Sequence, residues 1–121
     1  MSDLPVRRLY RLVRANPPPR ADFLSNAEQG VTPLRPLTPT QMRLWSGVSC
    51  TETLVQARAR AAANPQLGAF IAVLHLPDNG QCGIARTGQR AGHITVWGNA
   101  DALRAAVVAV LPVASEEEQH E

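Results

Sequence analysis

The sequence predicts an α+β fold: a single small domain with a mostly antiparallel or split sheet of about five strands and three or four short helices. Three observations predict it. Strand-like runs stand near both ends of the chain, at Val6–Arg14 and Val107–Val113. The helical spans between them are short and begin at capping residues. Two reversals, Pro77-Asp78-Asn79-Gly80 and Gly88 to Gly92, separate strand-like runs, which is the pattern of antiparallel neighbours.

Taken in order, Val6 to Arg14 alternates branched or aromatic residues with arginines. It follows Pro5, which suits a strand start, and stops at Asn16-Pro17-Pro18-Pro19, where three prolines forbid a ladder or a helix. Ala21 to Gln29 predicts one or two helical turns closed by Gly30. Thr38-Pro39-Thr40-Gln41 has the form of a capping box with proline at the first helical position, so a brief helix follows and ends near Trp45. Ser46-Gly47 breaks it. Val48-Ser49-Cys50 is a short extended piece, after which Ser49 or Thr51 caps the next helix, with Glu52 at box spacing from Ser49. That helix carries Leu54, Val55, Ala61 and Ala62 at helical spacing, with Arg58 interrupting the stripe, and Asn64-Pro65 ends it.

Ala69 to Leu76 is apolar on both alternating faces apart from His75, which predicts a central strand covered on both sides. Gln81 to Thr87 and His93 to Trp97 follow after the two reversals, and the three strands together predict a meander. Asn99 caps a short helix over Ala100 to Ala105. Val107 to Val113 forms the last strand, placed towards an edge by Pro112. The domain is therefore expected to span 1–115, with 116–121 as a solvated acidic tail.

At 121 residues the chain supports one core, and 45% hydrophobic with 18% charged residues is a globular composition. The longest apolar stretches fall short of the roughly 20 residues that cross a bilayer, and the first residues lack the pattern of a secretory signal, so a cytoplasmic protein is expected. Cys50 and Cys82 read as ordinary thiols rather than a disulfide or a metal pair. All 12 basic residues are arginine, which excludes lysine chemistry and supplies permanently charged, bidentate donors. Residues 1–115 carry a net charge of +6, partly masked by Glu116, Glu117, Glu118 and Glu121.

No phosphate-binding glycine loop, metal-ligand spacing or glycine-flanked serine is present. Three looser constellations remain. Arg7, Arg8, Arg11 and Arg14 on one strand, with Arg20 beyond it, can hold phosphates; equally they can protect an edge strand from aggregation. Gly47 to Glu52 brings hydroxyls and a carboxylate to a strand-to-helix junction, either as an anion site or as a plain capping box. His93, Thr95 and Trp97 share one strand face, which suits a planar ligand or a core tryptophan beside a satisfied histidine.

With Leu9-Tyr10-Arg11 on an opening strand and Ser49 to Glu52 after a short strand, the order of features resembles small ADP-ribosyltransferase-like toxin domains of the RES type. The resemblance implies a split sheet holding NAD as substrate, without metal, and cleavage of the nicotinamide glycosidic bond. It implies that Arg11 binds the pyrophosphate, Ser49 supports the nicotinamide ribose and Glu52 stabilises charge on that ribose. Tyr10, Thr51 and Trp97 complete the cofactor-binding set. The family's aromatic before the acid is missing here, and no acid lies between Arg86 and Trp97, so His93 takes that place. Two other classes compete. A binding module would set the arginines against nucleic acid, with steep salt dependence. An interaction protein, such as an antitoxin, a homodimer or an assembly partner, would use a strand edge and the Trp45 and Trp97 surfaces.

Overall fold

The computed structural model describes residues 6–77, 83–87 and 92–114. Its six strands are β1 (Val6–Val13), β2 (Val48–Thr51), β3 (Phe70–Pro77), β4 (Gly83–Arg86), β5 (His93–Trp97) and β6 (Val107–Pro112), and its helices are α1 (Pro39–Trp45), α2 (Leu54–Ala63) and α3 (Ala100–Ala105). Two 3-10 turns, Arg20–Phe23 and Pro65–Leu67, complete the regular structure. The strands form one sheet in the order β4-β5-β2-β1-β3-β6, with every neighbouring pair antiparallel. The predicted α+β class and antiparallel sheet are thus present. The sixth strand is the Val48 piece, which is extended one residue to Thr51 by pairing with β5 on one side and β1 on the other.

Position in the sheet follows from composition. Along β3, Ala72, Leu74 and Leu76 face one way and Ile71 and Val73 the other, and all five are buried. The first face meets Leu9 and Val13 of β1, Val48 and Cys50 of β2, and Ile94 and Val96 of β5. It is closed by Phe23 from the first 3-10 turn and by Ala100 and Leu103 of α3. Fully burying Phe23 alone contributes about 1.5–3 kcal/mol. The opposite face is covered by α2, which packs on β1 and β2 and buries Ala57 and Ala61.

The predicted caps at Thr38 and Asn99 are present: Thr38 and Gln41 exchange two hydrogen bonds at 3.2 and 3.0 Å, and Asn99 accepts from the Asp101 amide at 2.7 Å. Pro112 lies on an edge strand, as expected. Four expectations are corrected. The arginine-bearing β1 is an interior strand bonded on both sides, so its charges do not guard an edge. The meander reduces to a β4–β5 hairpin, because β3 spends both its edges on β1 and β6; neighbours in sequence need not pair. Residues 78–82 and 88–91 of its two reversals, and the acidic tail, lie outside the described residues.

The third correction concerns the start of α2. Its box is Thr53 with Gln56, which exchange two bonds at 3.1 Å, and neither Ser49 nor Thr51 caps it. Ladder pairing with Thr95 and His93 holds Ser49 and Thr51 extended and pushes the helix start further along. Fourth, Ala21 to Gln29 is a 3-10 turn followed by a single hydrogen-bonded turn. Ser25 and Glu28 cap that turn reciprocally, and Gly30 ends it at φ 74°.

Candidate anion-binding cleft

The ladder between β1 and β3 runs the full eight residues of β1, whereas β1 meets β2 at a single pair, Tyr10 with Thr51. Beyond that pair the two strands part, and a side chain spans the gap. Arg11 donates from Nη1 to the carbonyl of Ser49 at 2.7 Å and from Nε to the carbonyl of Asp22 at 2.7 Å. One guanidinium thereby ties β1 to β2 and to the first 3-10 turn. Burial pulls Arg11 below its ordinary value, and the neighbouring Cys50 and Asp22 oppose that shift. The guanidinium nevertheless stays charged, since arginine starts far above neutral pH.

A cavity of about 290 Å³ occupies this parting. Tyr10, Arg11, Leu12 and Arg14 line it from β1 and its end, and Ser49, Cys50 and Thr51 line it from β2. Ala21 and Asp22 close it on the 3-10 turn, Asn26, Gln29 and Val31 on the turn that follows, and Arg60 and Leu67 from α2 and the second 3-10 turn. The lining therefore holds three guanidinium groups and one carboxylate. Asp22 is buried, and its Oδ2 accepts from the Arg14 amide at 2.9 Å. The Arg14 side chain is exposed at the rim and has no hydrogen-bond or ion-pair partner among the described residues. Burial pushes the Cys50 thiol up to about 11, with Arg11 and Arg60 pulling it partly back. It is protonated at neutral pH and is no nucleophile.

Four of the seven residues singled out from the sequence, Tyr10, Arg11, Ser49 and Thr51, line this one cavity. Arg11 and Ser49 touch, although Ser49 contributes its carbonyl to that contact. The other three lie outside the lining. Glu52 is held by Arg86 through two parallel bonds of 2.8 Å, and its amide donates to Gly92. His93 Nδ1 lies 3.1 Å from the Thr87 hydroxyl, which is 2.6 Å from the hydroxyl of Thr95. Trp97 donates from its indole to the Arg43 carbonyl at 2.8 Å, with the Arg43 guanidinium 4.3 Å from its ring centre. The indole also lies against Gly47, where a Cβ would come within 2.9 Å of the indole nitrogen. The indole thus anchors α1 to the sheet.

Of the arginine set singled out from the sequence, Arg11 on β1 and Arg14 just beyond it line the cavity, while Arg8 donates to His75 at 2.9 Å and Arg20 pairs with Asp101. Sequence reasoning missed Asp22 and Arg60. Arg60 had a readable signal, since it stands three residues after Ala57 and next to Ala61, the two buried positions of α2. Asp22 had none, because its place depends on how the chain returns from the proline run. Among the described residues, no group of three or more His, Cys, Asp or Glu is placed to hold a metal ion. No helix among them is long and apolar enough to cross a membrane. Comparison with protein-family models, curated proteins and solved structures finds no match for this chain.

Proposed function

We propose that the protein binds a small phosphate-bearing anion in the cleft between β1 and β2. The observation that carries this reading is the convergence of Arg11, Arg14 and Arg60 on one cavity whose lining has a single carboxylate. Arg11 is braced by two backbone carbonyls and keeps three N–H groups without a partner among the described residues. A guanidinium fixed in this way loses little freedom when it grips an oxyanion, and bidentate pairing is the strong form of that contact. A ligand that prefers the folded state raises stability by about 2.7 kcal/mol at one hundred times its dissociation constant. Thermal unfolding with millimolar inorganic pyrophosphate tests the proposal. A raised midpoint that disappears when Arg14 is reversed supports it; a midpoint indifferent to pyrophosphate refutes it.

NAD is a second candidate for the same cleft, because Tyr10, Arg11, Ser49 and Thr51 line it together. Cleavage of its nicotinamide bond asks for a carboxylate beside the ribose, and Glu52 is instead engaged by Arg86 outside the lining. Binding of a phosphate-bearing ligand is therefore the better supported reading, and transferase chemistry is the further one. Nicotinamide release from NAD, compared between the native chain and Glu52→Gln, separates them.

A further inference from the structure

The lining also contains a hydrogen-bond acceptor that phosphate alone does not use. Asp22 is buried to 8% exposure. Its Oδ2 is taken by the Arg14 amide, while Oδ1 has no partner among the described residues and is not sealed from solvent. Water serves that oxygen in the free protein, and a ligand hydroxyl or ammonium entering the cavity can replace it with a direct, charge-assisted bond. Arg11 braces the backbone of the same residue, donating to the Asp22 carbonyl at 2.7 Å. The acceptor and the anion-gripping cation are thereby fixed side by side. A ligand that satisfies both carries an oxyanion and, a few bonds away, a hydroxyl or ammonium.

Charge chooses between these two. An α-amino acid is neutral overall and does not offset the excess of Arg11 and Arg14 over Asp22 in the lining. A phosphate monoester carries about −1.5 to −2 at neutral pH and offsets it. Size points the same way: about 290 Å³ lies at the small end of ligand cavities, which suits a monophosphate better than a dinucleotide.

Resting on the phosphate-binding reading above, we propose that the ligand is a phosphorylated sugar, free or as a mononucleotide, with its phosphate on Arg11 and Arg14 and one of its hydroxyls donating to Asp22 Oδ1. The test is calorimetric titration of the full chain with ribose 5-phosphate, AMP, inorganic phosphate and butyl phosphate, the last a phosphate monoester without hydroxyls. Ribose 5-phosphate is expected to bind at least about tenfold tighter than butyl phosphate, as loss of a hydrogen bond to a charged group implies. Asp22→Asn keeps an acceptor for the Arg14 amide and is expected to narrow that difference, because the hydroxyl loses its charged acceptor. A tighter AMP assigns a nucleotide, and equal affinity assigns a free sugar phosphate. Equal binding of ribose 5-phosphate and butyl phosphate to the native chain overturns the proposal even if Asp22→Asn does not fold, and leaves the phosphate-binding reading intact. If none of the four ligands binds, this proposal falls, and the phosphate-binding reading falls with it when pyrophosphate also leaves the melting midpoint unchanged.

Discussion

Arg11 and Ser49 are joined across the gap between β1 and β2 by a guanidinium-to-carbonyl hydrogen bond of 2.7 Å, where a sheet ordinarily uses a backbone amide. The same side chain holds the Asp22 carbonyl, so it is at once a structural tie and one of the cations that line the cleft.

Replacing Arg11 by methionine removes both bonds and leaves two carbonyls short of a donor. The expected loss is about 2–4 kcal/mol in urea unfolding, from bonds to a charged group and the desolvated acceptors left behind. Arg11→Lys is not expected to restore it, because one ammonium on a flexible stem does not reproduce the planar fork that spans two carbonyls.

Arg14 separates binding from folding. Its guanidinium has no partner among the described residues, and the hydrogen bond to Asp22 uses its backbone amide. Arg14→Glu is therefore expected to change stability by no more than about 0.5 kcal/mol, as exposed substitutions do. It is also expected to abolish the rise in melting midpoint with pyrophosphate. Retention of that rise would sink the role given to the rim arginine.

Glu52 faces the opposite test. It pairs with Arg86, whose side chain is 68% exposed, and such pairs contribute about 0–1 kcal/mol. Glu52→Gln is expected to cost no more than that and to leave ligand-induced stabilisation unchanged. A lost pyrophosphate response would show that the carboxylate belongs to the site after all.

Cys50 gives the fold a weakness at alkaline pH. Its thiol is raised by burial from 9.0 to about 11, so between those values the unfolded chain releases a proton that the folded chain keeps. No penalty exists below pH 9. Above it, stability falls as pH rises, by about 2–3 kcal/mol once the folded thiol also ionises. Urea midpoints measured from pH 8 to 11 are expected to decline less steeply in Cys50→Ala than in the native chain, whatever that substitution costs at pH 8.

Elements with local causes were legible in the sequence. Thr38-Pro39-Thr40-Gln41 and Asn99 begin helices because their side chains satisfy amides within three residues, and the predicted opening strand ends at Val13, one residue short of its expected end and ahead of the proline run. The two-faced apolar pattern of β3 likewise marked a strand buried on both sides. Tyr10, Arg11 and Ser49, singled out from the sequence, line one cavity between β1 and β2.

The tertiary structure decided which strands are neighbours and which charges converge. Strand β3 pairs with β1 and β6 rather than with β4, and Ser49 is drawn into a ladder instead of capping a helix. Asp22 and Arg60, far apart in sequence, line one cavity with Arg11 where β1 and β2 part beyond Tyr10 and Thr51. Caps and turns depend on bonds between residues a few positions apart, so their cause is written in the local sequence. Strand order and a cleft lined from six segments depend on competition among long-range pairings, and no single segment carries that information.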